Sequence, residues 1–232
     1  MSAVLELSHL VKDYRALRPL RIEGFVLSDL DQAAILGLDR PAAETLINLI
    51  TGAALPDSGD IRVFGRRTAD ITDSTDWLGV VDRFGIVTER AVLLDGLSSI
   101  QNLALPFSLD LEPPSEDLRS KATALAREVG LPEADWDRMA GSLDGIGRAR
   151  LRLGRALALA PRVLLLEHAT VGVERPSVVA LARDVRRAAA RRNIATLALG
   201  ADPEFAGAVA DRVLTLDPAT GQLAARRRRW FM

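Results

Sequence analysis

Cysteine is absent from the 232 residues, which excludes disulfides and thiolate metal sites; the absence fits a reducing compartment without requiring one. Histidine is scarce. His9 and His168 are the only two, too few for a histidine-rich metal site. Charge of one sign is missing as well: 30 Lys and Arg against 31 Asp and Glu leave a formal net charge of −1, which argues against bulk attraction to nucleic acid or membrane. No apolar run approaches the roughly 18–20 residues of a membrane span. The opening MSAVLELSHLVKDY lacks the basic-then-apolar layout of a secretion signal, so a cytoplasmic location is expected. With 48% hydrophobic and 26% charged residues, the chain is long enough to bury a sizeable core in one domain or two closely joined lobes.

The sequence is organised around residues 143–174, LDGIGRARLRLGRALALAPRVLLLEHATVGVE. Arg148, Arg150, Arg152 and Arg155 alternate with Leu151, Leu153, Ala156 and Leu157, a pattern expected to give a helix with one basic and one apolar face. Pro161 ends that helix, because it lacks an amide donor and disfavours α geometry just before it. Val163-Leu164-Leu165-Leu166 then reads as a parallel strand covered on both faces. It stops at Glu167-His168, titratable groups at the carboxyl end of a strand, where open α/β sheets bind ligands.

Earlier in the chain, residues 3–9 alternate and read as an edge strand. RIEGFVLS and AAILGL are two further strands, separated by the turn Asp29-Leu30-Asp31-Gln32. GLDRPAAETLINLITG is a strand-to-helix junction and a helix with Leu46, Ile47, Leu49 and Ile50 on one side and Gly52 as its C-cap. Pro56-Asp57-Ser58-Gly59 carries turn chemistry before a short strand. A Pro- and acid-rich connector at 107–120 leads to a helix capped by Ser115. The closing part reads as an Arg/Ala-rich amphipathic helix over 176–192, a buried strand over 194–200, then turn, helix and strand to 217. Arg226 to Arg229 with Trp230-Phe231 end the chain, either as a basic tail or as a contact with anionic lipid.

This order of motifs resembles the ATP-binding (ATPase) subunits of ABC transporters over roughly residues 3–224, and within that family its connector and QNLALP segment look most like lipid- or lipoprotein-export members. The resemblance implies an α/β, P-loop NTPase-like ABC ATPase fold, with a mixed-sheet core, an antiparallel β lobe and a small helical subdomain. The core lobe would comprise 1–88 and 150–224, the helical subdomain 89–149 and the basic tail 225–232. Tyr14, the only tyrosine, stands at the family's adenine-stacking place, with ordinary surface packing as the alternative. A phosphate loop of the form G-x-x-x-x-G-K-[ST] cradles phosphate with backbone amides, a lysine and a magnesium-binding hydroxyl. Here Gly37 and Thr45 remain, Ala42 replaces the last glycine, Ala43 the lysine and Glu44 the hydroxyl, while Pro41 removes an amide and Asp39 adds negative charge. Glu89 takes the place of the Q-loop glutamine, either accepting a cation or simply solvated. The signature place holds Leu143, Asp144, Gly145, Ile146 and Gly147. Glu167 and His168 fill the Asp-Glu place of Walker B, and Ala201 the switch-histidine place.

Hydrolysis needs a positioned phosphate, a cation and a water-orienting group, and all the positions that supply them have changed. One change alone has a compensation at hand: Glu167 for the metal-holding Asp, or His168 as a base near neutral pH. The lost lysine and the acidified loop act on binding itself. The resemblance therefore implies weakened or lost ATP/Mg²⁺, no other metal and no nucleic acid. It further implies permease subunits as partners, a homodimer or a heterodimer with another ABC ATPase subunit, and a place on the inner face of the cell membrane. A non-hydrolysing structural or regulatory subunit comes first. The alternatives are a divergent but active ATPase and a stand-alone module binding another anion or partner.

Overall fold

Alternation near the amino end and longer apolar runs further on build two different sheets in the computed structural model, which describes residues 2–225. The Arg226–Arg229 tail lies outside the described residues. The chain begins with β1 (Ala3–Lys12), β2 (Leu20–Ser28), β3 (Gln32–Leu36), α1 (Arg40–Ile50), β4 (Ser58–Val63) and β5 (Arg66–Arg67). It continues through α2 (Ser74–Val81), β6 (Phe84–Val87), α3 (Ser99–Ala104), α4 (Glu116–Glu128), α5 (Gly145–Leu157) and β7 (Val163–Glu167). The final elements are α6 (Val178–Arg192), β8 (Ala195–Gly200), α7 (Pro203–Val209), β9 (Arg212–Leu216) and β10 (Leu223–Ala225).

β1 is not an edge strand: it lies between β2 and β4 in the antiparallel sheet, whose order is β2-β1-β4-β5. Local alternation reports which side chains are buried and carries no information about how many neighbours a strand has. Leu5, Leu7 and Leu10 all face the core, although the last step is three residues. The extra residue is taken up at His9, which has φ 48°, where the β1–β4 register shifts. Opposite it, Gly59 has φ 87° and no room for a Cβ, which would lie 2.3 Å from the His9 carbonyl; only glycine permits that approach.

The second sheet has the order β10-β9-β3-β8-β7-β6, parallel from β9 to β6 with β10 antiparallel at one edge. Its central strands are buried on both faces, and successive residues feed two cores. Ile35, Val163, Leu165, Leu197 and Leu199 join α1 and the antiparallel sheet. Leu36, Leu164, Leu166 and Ala198 join the helical side, where Ile100 of α3, Leu125 of α4, Leu153 of α5 and Val185 of α6 share one continuous cluster. The mixed α/β architecture expected from the sequence is what forms.

α5 departs from the expected two-faced helix. Arg148, Arg152 and Arg155, at i, i+4 and i+7, share one side, but Arg150 turns the other way and pairs with buried Asp184 of α6 at 2.7 Å. A large aliphatic stem and a fork of donors let arginine serve a helix–helix contact as readily as a solvated face. α5 also ends before Pro161, its C-cap being Ala158, and Ala160 at φ 51° turns the chain into β7.

α5 packs hard against β6. A Cβ on Gly85 would lie 2.4 Å from the Ala156 carbonyl oxygen, a backbone atom that cannot step aside. Gly85→Ala is therefore expected to destabilise the fold by about 1–3 kcal/mol through overpacking, read as a lower midpoint in urea unfolding followed by circular dichroism.

Candidate functional site

The loop between β3 and α1 is two residues and a cap. Gly37 has φ 91°, and a Cβ there would meet the Leu216 carbonyl at 3.0 Å, so its glycine is required by packing against β9. Leu38 is buried. Asp39 is the N-cap of α1 and its carboxylate accepts the Ala42 amide at 2.8 Å, while its carbonyl accepts the Ala43 amide at 2.9 Å. Ala43, at the lysine place, is wholly inside the core. Thr45 turns its hydroxyl back to the Pro41 carbonyl at 2.7 Å.

Glu44 lies on the partly exposed side of α1, and it meets a residue not singled out in the sequence. The turn after β6, at residues 88–91, brings in Arg90, whose two terminal nitrogens split between two carboxylates. One lies 2.5 Å from Glu44 and the other 2.6 Å from Glu167. Glu167, the last residue of β7, has a side chain only 7% exposed, so its charge needs a partner close by. Glu89 is exposed and pairs across the surface with Arg40 at 3.3 Å. The signal for Arg90 in the sequence was indirect: two acidic residues predicted at one place imply a cation between them, yet no local spacing says which.

The start of α5 repeats the plan of α1. Asp144 caps it, accepting the Gly147 amide at 2.8 Å, and Leu143 and Gly147 are buried. Gly145 is pressed so close to the loop after β7 that a Cβ would overlap the Gly172 carbonyl. Ile146 packs at the margin of the helical core. These residues form a tight helix start.

Tyr14 stands elsewhere. It lines a cavity of about 200 Å³ with Arg18, Gly37, Asp39 and Leu216. Burial, and then the negative charge of Asp39, push its phenol above the ordinary tyrosine range. His168 and Ala201 share a second cavity, of about 250 Å³, beyond the ends of β3, β7 and β8. The His168 backbone has φ 43°, its ring packs over Gly200, and its Nε2 is buried without a hydrogen-bond partner among the described residues. The structure thus unites Glu44 with Glu167, Tyr14 with Gly37, and His168 with Ala201, in three separate places. Among the described residues no group of three or more His, Asp and Glu side chains is arranged to hold a metal.

A groove of about 440 Å³ lies beside the Arg90 turn, lined by Ile86, Ala91, Leu105, Leu109, Arg152 and Arg155 among others. Leu109 is 86% exposed and the neighbouring Val92 71%. Arg155 donates to the Val92 carbonyl and Arg152 to that of Ala91. Among the described residues neither is in ion-pair contact with a carboxylate. Burial, joined for Arg152 by the like charge of Arg148, lowers the pKa of both guanidinium groups.

No protein-family model matches the chain. It is 30% identical over 186 residues to the methionine import ATP-binding protein MetN of Brucella abortus, covering 79% of this chain and 49% of that protein. It is 29% identical over 218 residues to the sulfate/thiosulfate import ATP-binding protein CysA of Methylococcus capsulatus, covering 92% of this chain and 60% of that one. The chain thus spans about half to three-fifths of the length of these curated relatives. Its fold matches the dimeric post-hydrolysis structure of the ATP-binding cassette MJ0796 bound to ADP and Pi, with TM-score 0.76 and 19% identity over 98% of this chain and all of the other. It also matches CbiO1 from Clostridium perfringens, part of the ABC transporter complex cbiONQ, with TM-score 0.78 and 19% identity over 96% and 87% of the two chains.

If Asp39 and Asp144 serve as helix caps, each change to Ala removes a bond to an amide that has no intrahelical partner. Asp39→Ala and Asp144→Ala are each expected to cost about 1 kcal/mol, measured as a fall in the denaturant midpoint at unchanged m-value.

Proposed function

Because the chain belongs to the ABC-transporter ATP-binding subunit family, we propose that it is a non-hydrolysing member, working as a structural or regulatory subunit of a membrane transport complex. One observation carries this reading: α1 and α5, the two helix starts that the family aims at phosphate, are each closed by an aspartate of this chain. An amide already bonded to a carboxylate has no hydrogen left for a phosphate oxygen, and the carboxylate repels the incoming anion.

The family's ATP and magnesium do not fit the residues present. The lysine place is a core alanine, Ala43, and the magnesium place holds an arginine bonded to both neighbouring carboxylates. Two unit charges about 4 Å apart repel by about 4 kcal/mol at an intermediate effective dielectric, so Asp39 and Glu44 oppose a triphosphate at its point of entry. His168 stands in its own cavity with no hydrogen-bonded link to Glu167. A divergent active ATPase is favoured by one feature only, the cavity that sets Tyr14 beside Gly37.

MJ0796 is described as a dimer and CbiO1 as part of a larger complex. By the same arrangement this chain would sit on the inner face of the membrane, paired with a second ATPase subunit and docked on permease subunits. The groove beside the Arg90 turn suits that docking: an apolar floor and two guanidinium groups that make no ion pair among the described residues match an apolar segment that carries an acidic residue. The import names of the two relatives favour an import-type complex over the lipid-export relation expected from the connector.

Two measurements test the reading. Millimolar ATP with magnesium should leave the thermal midpoint unchanged. A ligand at 100 times its dissociation constant stabilises by about 2.7 kcal/mol, so a clear upward shift would sink the non-hydrolysing assignment and turn attention to turnover. Leu109→Asp should release the chain from membranes of its own host in a sedimentation assay while leaving its unfolding midpoint within about 0.5 kcal/mol of the parent. Retention of the variant on membranes would rule out the groove as the docking surface.

A further inference from the structure

The place between Glu44 and Glu167 asks for a cation, and the chain supplies one. We infer that the Arg90 guanidinium is a resident cation standing where a metal would bridge the two carboxylates, and that it fastens the 88–92 segment, and the groove beside it, in one position. The inference deepens the reading of a closed nucleotide site and rests on it for the identity of the place. The geometry that carries it belongs to the chain alone.

Three observations converge. Arg90 makes charge-assisted bonds of 2.5 and 2.6 Å to carboxylates on two different elements, α1 and β7; a planar fork of donors is suited to such a bridge, whereas a single ammonium is not. On its amino side Glu89 is tied to Arg40 at the start of α1. On its carboxyl side the carbonyls of Ala91 and Val92 receive Arg152 and Arg155 of α5. Four consecutive residues, Glu89 to Val92, are thus held by α1, β7 and α5 together, with the turn itself closed by the Ala91 amide on the Thr88 carbonyl at 3.2 Å. The charged groups facing the bridge are Glu44, Glu167, Glu89 and Arg40, and the side chains of two of the groove-lining residues, Arg152 and Arg155, flank the far side of the turn. A partner that docks on Ala91 and Leu109 therefore meets a surface already set, with no nucleotide needed to order it.

Removal of Arg90 leaves two carboxylates facing one another, one of them buried, which is the arrangement a small divalent cation relieves. The test uses the full chain without nucleotide, so its failure is distinct from a failure of the functional reading. In hydrogen–deuterium exchange, Arg90→Ala should raise exchange at residues 88–93 on the order of tenfold over the parent, with β3 and β8 unchanged. Manganese chloride should raise the thermal midpoint of Arg90→Ala and not that of the parent, and Glu167→Gln in the same chain should abolish the rise. Should Arg90→Ala fail to fold, Arg90→Lys serves in its place: one ammonium cannot span both carboxylates, so faster exchange over the same residues is expected. Unchanged exchange in the folded variant, or a manganese shift as large in the parent as in Arg90→Ala, would overturn the inference.

Discussion

The guanidinium of Arg90 ties the turn after β6 both to α1 and to the end of β7, two elements that already share one packed core. Glu167 ends the interior strand β7, between β8 and β6, almost completely buried, and an unpaired carboxylate there would cost several kcal/mol. Its partner comes from the turn after β6, and that same partner reaches across to Glu44 on α1. Breaking a buried pair by losing one member typically costs 3–5 kcal/mol. Arg90 is close to half exposed, so solvent screens it and the lower end of that range, or somewhat less, applies. The Glu89–Arg40 pair and the bonds from Arg152 and Arg155 to the Ala91 and Val92 carbonyls hold the same segment from its two sides.

Under the proposed non-hydrolysing role, the same charged groups that steady the fold would work against a nucleotide. Asp39, Glu44, Glu89 and Glu167 gather around the start of α1, with Arg40 and Arg90 as their counter-charges. Each acid has a partner within the chain: Asp39 the Ala42 amide, Glu89 Arg40, and Glu44 and Glu167 Arg90. A triphosphate entering here would have to displace these bonds and then face the released carboxylates. Opening α5 carries a parallel cost, since Asp144 takes the Gly147 amide. Caps of this kind are ordinary devices of helix stability; their effect here comes from where they stand.

Much of the fold could be read locally. The run Val163 to Leu166 announced a strand buried on both faces, Ser115 is the N-cap of α4, and Gly52 follows the α1 cap at φ 72°. These are short-range properties of spacing and backbone preference. What failed was long-range. β1 looked like an edge because alternation does not count neighbours. Arg150 looked solvated because helical periodicity does not see Asp184 on another helix. Arg90 was passed over because its partners lie 46 and 77 residues away, beyond any window in which a motif is recognised. Likewise the substitutions at Ala43 and Glu44 were legible as losses, while the arrangement that replaces them was not, since its key residue sits outside every motif.

A metal-bound nucleotide is an exchangeable link between elements, present or absent with its concentration. A side-chain guanidinium making a comparable link is always present, and its strength changes only with the conformation that carries it. The two differ in kind: the first lets a surface alternate between ordered and free states, the second fixes it in one. In this chain the segment so fixed borders two strongly exposed apolar side chains, Val92 and Leu109, on the face where, among the described residues, Arg152 and Arg155 make no ion-pair contact with a carboxylate. Exchanging a soluble ligand for a resident one thus trades a cycle for a standing surface. If the chain is the non-hydrolysing subunit proposed, it contributes to its complex by shape and contact, and any movement it takes part in is driven by the partners bound to it.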